Sequence, residues 1–178
     1  MLNEEDEDGV RTLHTKFCTK WKITYPLHSS DIRHRVGKFA WLSTLSKDDH
    51  DSFMTDLSDL AVAIPVLGHA CVVDRPGYDR RYREKYGRQT WMLCKTAFAV
   101  VCERAAKYAS SQGRKLRVYA EKGDKTADSH IRRYYKELQE AGMPFAQETS
   151  SKYAPLTAAE LRIALYDLKF KDKTSALA

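Results

Sequence analysis

The sequence predicts an α/β fold. Segments with helical periodicity alternate along the chain with short apolar or alternating segments of strand length. The helical segments carry their own caps and stops, which fixes their limits without reference to neighbours. At 178 residues, 43% hydrophobic and 30% charged, the chain suits one well-buried soluble domain and is short for two.

Taken in order, residues 9–19 read as a short helix, and "YPLHSSDIRHRVGKFAWL" as a loop with a helical turn from about Asp31. "SKDDHDSFMTDLSDLAVAIP" is the clearest early helix. Ser46 suits the N-cap, acids crowd the first turn, Phe53, Leu57, Leu60 and Ile64 share a face, and Pro65 stops it. "VLGHACVVD" reads as a mostly apolar, buried strand ending at Asp74, and "RPGY" as a turn. A short basic helix follows from Tyr78 to Tyr86. The longest helix, about Thr90 to Ser111, carries a predicted core stripe of Trp91, Cys94, Phe98, Val101, Cys102 and Ala105. "KLRVYAE" alternates through Leu116, Val118 and Ala120 and reads as a strand ending at Glu121. A helix from about Ala127 to Ala141 ends on Gly142, and Thr157 with Glu160 forms a capping-box signal. In "IALYDLKFKDK", Ala164, Tyr166, Leu168 and Phe170 alternate with their neighbours, which favours a strand.

No stretch approaches the roughly 18 uninterrupted apolar residues of a membrane helix, and no basic segment leads into an apolar one as in a secretory signal. Cys18, Cys71, Cys94 and Cys102 lack C-x-x-C spacing and sit in apolar surroundings. They read as reduced, buried thiols of a cytoplasmic protein. Glu4, Glu5, Asp6, Glu7 and Asp8 form an acidic run expected to be a disordered tail over residues 1–8, with a single domain over 9–178. The whole chain is +6, so the part after that run is more positive still, and such a balance favours polyanions over membranes.

Two strand-end acids carry the chemistry. The segments ending at Asp74 and Glu121 are joined by helices over a stretch long enough for a parallel crossover, which would place both carboxylates on one sheet edge. There they could share magnesium, a hard cation that takes oxygen ligands, and such an ion activates water and stabilises phosphoryl charge. The plainer reading is that each acid ends its strand and pairs with Arg75 or Lys122. Arg75, Arg80, Arg81, Arg83, Lys85 and Arg88 flank Asp74, and Tyr78, Tyr82 and Tyr86 share one helical face. The cations suit a nucleic-acid backbone or a solvated face, and the tyrosines suit packing. His28, Asp31 and His34 fall at i, i+3 and i+6, as hydrated loop polars or as a His–Asp pair that orients a substrate. The sequence holds no glycine-rich phosphate loop and no nucleophile elbow.

"PLHSSDIR", "VVDRPGY", a long helix, "VYAEKGD" and "LKFKDKTS" occur in this order over roughly residues 20–178. The chain in this respect resembles the bacterial and phage family called domain of unknown function 3800. The resemblance implies an RNase-H-like mixed sheet with flanking helices and a magnesium-dependent nuclease or phosphotransferase role. It implies site roles for His28, Asp31, Asp74, Glu121 and Lys173, with Asp74 and Glu121 as metal ligands. The family pattern also has a first strand bearing Asp-Glu-Ser-Gly and a closing Gln-x-Ala-Asp-Leu helix, both of which supply acids and neither of which occurs here. The fold is therefore expected to be incomplete at both ends, with exposed sheet edges open to self-association. The expected function is that of a fragment or truncated copy of a metal-dependent nuclease or phosphotransferase, weakly active or inactive alone. The alternative is a non-catalytic nucleic-acid-binding module using Arg75, Arg80, Arg81, Arg83, Lys85, Arg88 and Lys122.

Overall fold

A computed structural model describes residues 1–77, 80, 91–144 and 153–172, with Trp91 and Met92 described by backbone alone. The chain divides into two compact units, Met1–Gly68 and a second that begins at His69, where the sequence suggested one domain over 9–178. Each unit closes its own hydrophobic core, which is why the chain divides.

The first unit is helical among its described residues. A 3-10 turn Glu4–Asp6 leads into α1 (Glu7–Lys20), followed by α2 (Ser29–His34), a 3-10 segment Gly37–Ser43, and α3 (Lys47–Ala63). The acidic run is thus helical rather than an unstructured tail. Its acids lie at the positive end of the helix dipole, and Glu7 pairs with Arg11 one turn on at 2.6 Å. In α3, the Ser46 side chain accepts the Asp49 N–H at 3.1 Å, and Phe53 and Leu60 are buried, as the sequence implies. Phe53 has Trp21, Phe17 and Trp41 around it at ring-centroid distances of 5.1, 5.6 and 5.6 Å. Polar atoms of the aromatics are satisfied at the rim. Trp21 Nε1 donates to Asp56 at 2.8 Å, and Trp41 Nε1 donates to the Tyr25 hydroxyl at 2.9 Å. The Lys20 ammonium beside Asp56 holds its carboxyl below the usual range.

The second unit contains α4 (Trp91–Ser111), β1 (Leu116–Glu121), α5 (Lys125–Ala141), α6 (Ala158–Ala164) and β2 (Leu165–Lys171). β1 and β2 pair in parallel, with Val118 opposite Leu168, Ala120 opposite Phe170 and Glu121 opposite Lys171. The structure is therefore α/β, and the crossover that parallel pairing needs is supplied by α5 and α6. Asp124 caps α5 by accepting the Ala127 N–H at 2.8 Å, so the helix begins at Lys125, two residues before the predicted start. Gly142 ends the helix at φ 79°, a conformation few side chains adopt. Thr157 and Glu160 form the full capping box of α6. Among the described residues no helix is long and apolar enough to cross a membrane.

Three expectations are corrected. Residues 66–74 form no strand, and Val66 and Val72 are 57% and 93% exposed rather than buried. A strand needs a ladder partner, and among the described residues the only paired strands are β1 and β2. The core stripe of α4 keeps Cys102 and Ala105 of the predicted one, with Phe98 packed against the core, but Ala99, Ala106 and Ala109 complete it and Cys94 is exposed. Of the four cysteines, expected to be buried, only Cys102 is, and burial pushes its thiol up to about 12. All four are free thiols.

That α4 stripe also buries a charge. Glu103 is fully buried, accepting the Leu156 N–H at 3.1 Å and the Tyr153 hydroxyl, with Lys107 Nζ at 2.7 Å. Lys107 also donates to the Ala154 carbonyl at 2.5 Å and lies 4.4 Å over the Tyr153 ring. Burial, together with the bond to Glu103, raises the Tyr153 phenol, so it stays a neutral donor. One carboxylate thus ties α4 to residues 153–156.

Glu103→Ala leaves the Leu156 N–H and the Tyr153 hydroxyl without their acceptor, and an unsatisfied buried donor costs about 1–3 kcal/mol. Urea unfolding should show a loss of about 3 kcal/mol for Glu103→Ala and less for Glu103→Gln, which keeps one acceptor and the shape. A loss under about 0.5 kcal/mol for the alanine variant would contradict this reading.

The capping box makes a pH prediction. The Thr157 N–H, then the Thr157 hydroxyl, donate to Glu160 at 2.7 and 2.8 Å and hold its carboxyl below the usual value. This stabilisation is complete above the unfolded carboxylate range and is lost as pH falls through the folded value. Glu160→Gln should therefore be less stable than the parent at pH 7, with the gap closing in acid. A gap that widens as pH falls would refute the assignment.

Candidate functional site

The site expected from the sequence divides between the two units. His28 and Asp31 lie in the first, while Asp74 and Glu121 lie in the second. Lys173, Arg81, Arg83, Lys85 and Arg88, with Tyr78, Tyr82 and Tyr86, lie outside the described residues. His28 is the N-cap residue of α2 but makes no side-chain cap bond, and it is exposed. Asp31 sits in the first turn of α2, and Gly37, at φ +57°, approaches its carboxylate. A Cβ at Gly37 would come within 3.1 Å of Asp31 Oδ2.

Asp74 does not end a strand. Residues 75–77 are helical, and Asp74 Oδ2 accepts the Gly77 N–H at 3.1 Å, capping that turn. Proline at 76 has no N–H to offer, so the Gly77 amide is the donor within reach. A Cβ at Gly77 would sit 2.2 Å from Asp74 Oδ2, so a larger residue there would push the capping carboxylate off its position. The expected meeting of Asp74 and Glu121 at two parallel strand ends is therefore not made. The "D-R-P-G" stretch was an N-cap signal, and the apolar residues before it drew the strand reading instead. Arg75 and Arg80 are exposed, as a phosphate-contacting or a solvated face requires.

Glu121 does sit where the sequence placed it, at the carboxyl end of β1. It lies in register with Lys171, and the Lys122 N–H continues the ladder by donating to the Lys171 carbonyl at 2.8 Å. Lys122 Nζ reaches Asp172 at 2.9 Å across the same edge, an exposed pair of small energetic weight. The turn into α5 is held by the Gly123 N–H, which donates to Asp128 Oδ1 at 2.9 Å. The Arg132 guanidinium lies 4.3 Å over the Phe170 ring. This edge joins anions and cations in alternation, at the place where open α/β sheets hold ligands. Sequence reasoning passed over Asp172, which directly follows the last residue of β2 as Glu121 closes β1.

These residues do not fit the magnesium site that the family resemblance implies. Among the described residues no three His, Cys, Asp or Glu side chains converge into a metal-binding group. Asp74 is engaged as a helix cap, and Glu121 faces Lys171 in register, a cation where a second carboxylate would be needed. No step through magnesium follows from this geometry.

Comparison with known proteins is narrow. No protein-family model matches the chain, and no solved structure matches it. Among curated proteins it is similar to the uncharacterized protein y4pM of Sinorhizobium fredii (strain NBRC 101917 / NGR234), 35% identical over 154 residues. The match covers 85% of this chain and 55% of y4pM, so the chain spans about half the length of that relative.

The capping role of Asp74 is testable as a cycle. Asp74→Ala and Gly77→Ala should each cost about 1 kcal/mol in urea unfolding, and the double variant should cost no more than the worse single. Asp74→Asn, which keeps an acceptor, should be close to the parent. Additive losses would show that the two residues act separately.

Proposed function

We propose that the chain is the α/β portion of a longer nucleic-acid-acting protein, RNase-H-like in type and related to domain of unknown function 3800. By itself it binds nucleic acid without cleaving it. The observation that carries this reading is the parallel β1–β2 pair with its α5–α6 crossover and its charged carboxyl edge at Glu121, Lys122, Lys171 and Asp172. That arrangement agrees with the strand-end acid that the motif order implied, and the net positive charge supports a polyanionic partner. The misfit of Asp74 and Glu121 to a magnesium site favours binding over catalysis in this chain. Chemistry at the edge would need further acids, which the unmatched part of a protein as long as y4pM has room to supply.

Contacts to phosphates release counterions, so affinity falls with salt at a log–log slope of about −0.7 to −0.9 per phosphate. Charge reversal at Arg80, Arg81 and Arg83 should weaken binding at least about ten-fold at low salt, for every sequence alike, and lower the slope by about 2–3. Fluorescence anisotropy with labelled DNA and RNA measures both. The same probes, incubated with magnesium or with chelator, should remain uncut by residues 1–178. Binding indifferent to salt and to these reversals would overturn the proposal, and so would robust metal-dependent cleavage.

A further inference from the structure

We propose that the outer face of the β1–β2 sheet is a stacking platform for single-stranded nucleic acid, with Tyr119 and Tyr166 as its ring contacts. This deepens the nucleic-acid reading above and rests on it. The two faces of the sheet are chemically distinct. Val118 with Leu168, and Ala120 with Phe170, form the inner face. Leu116, Val118 and Leu168 of that face pack on Ala99, Cys102 and Ala106 of α4, Tyr135 and Leu138 of α5, and Leu161 of α6. Arg117 opposite Asp167, Tyr119 opposite Lys169, and Glu121 opposite Lys171 form the outer face. Tyr166, the extra residue at a bulge between the Leu116–Leu165 and Arg117–Asp167 pairs, has its ring beside Arg117 of that face.

The outer face is not the polar surface that alternation alone would give. Tyr119 is 46% exposed and Tyr166 is 61% exposed, so two large rings stay wet beside cations. Those cations reach across the strands reciprocally. Arg117 of β1 lies 5.2 Å over the Tyr166 ring of β2, and Lys171 of β2 lies 5.1 Å over the Tyr119 ring of β1. Each cation lies over one face of its ring, so a base stacks on the other face or takes the cation's place as the cation turns to a phosphate. The carboxylates of the face stand against its cations, Asp167 at 3.7 Å from Lys169 and Glu121 in register with Lys171, which leaves one net positive charge. A face so nearly balanced has little hold on a duplex, whose base faces are hidden and which presents phosphates alone. It suits a strand whose bases are free to stack, where each base–ring contact carries much of the affinity without sequence preference. An acidic peptide would meet the same carboxylates and bring no ring faces.

The rings also support the sheet through their cross-strand cations, so the test separates binding from folding. Anisotropy is measured on the full chain with labelled oligo-dT, oligo-rU and a duplex of matched length. Tyr119→Ala with Tyr166→Ala should weaken both single strands by about ten-fold or more and leave the duplex nearly unchanged, while the double phenylalanine variant keeps single-strand binding. Ultraviolet crosslinking of the unaltered chain to oligo-dT or oligo-rU should place adducts on Tyr119 or Tyr166, a readout that does not depend on the variants folding. If the Arg80, Arg81 and Arg83 reversals abolish binding while the tyrosine variants and crosslinks show nothing at the sheet, the platform is wrong and the broader reading stands. Equal losses on duplex and single strands would also overturn it. If the unaltered chain binds none of the three probes, both readings fail.

Discussion

The second unit depends on one buried carboxylate. Glu103 sits on the apolar stripe of α4, where a charge has no water, and its compensation comes from Lys107, the Tyr153 hydroxyl and the Leu156 N–H. Those last two partners belong to the strap that leads into α6. Directly after Leu156, Thr157 caps α6, and α6 passes into β2 with no intervening loop. The position of β2 beside β1 is therefore set by where α4 holds the strap. A two-stranded parallel sheet has little stability of its own, so this tether and the helices on the inner face decide whether it forms.

The proposed function rests on that arrangement at two places. At the carboxyl edge, the parallel pairing brings Glu121, Lys122, Lys171 and Asp172 together, an alternation of charge suited to a polar ligand and unsuited to a bare metal pair. On the outer face, the same register sets Tyr119 and Tyr166 among Arg117 and Lys171. Both places exist only while β2 stays in register, because a one-residue slip would carry each side chain to the opposite face. The first unit has a separate logic: an aromatic cluster around Phe53, closed at its rim by Asp56 and by the Tyr25 hydroxyl.

What the sequence made legible was what is decided locally. Ser46 and Pro65 bracket α3, Thr157 and Glu160 announce α6, and the alternation of Leu116, Val118 and Ala120 marks β1, because caps and periodicity need no distant partner. β2 was readable for the same reason despite its helical flank. The segment 66–74 was misread because an apolar run states only that burial would be favourable, whereas a strand also needs a neighbour to take its hydrogen bonds. Asp74 was misread with it: an acid before Arg-Pro-Gly is a helix cap, and the supposed strand drew attention to its other possible role. Glu103 was passed over because a glutamate beside Cys102 on an apolar stripe gives no local sign of the strap that lies 50 residues further along the chain.

Amide hydrogen exchange, residue by residue in β2 and residues 153–156, tests the tether most directly. In the parent chain the β2 amides paired with β1 should be protected to the same degree as the core of α4. In Glu103→Ala they should lose protection well before α5 does, because the strap is released while the packing of α5 on α4 remains. Protection of β2 unchanged by that substitution would contradict the account, since the sheet would then be holding itself.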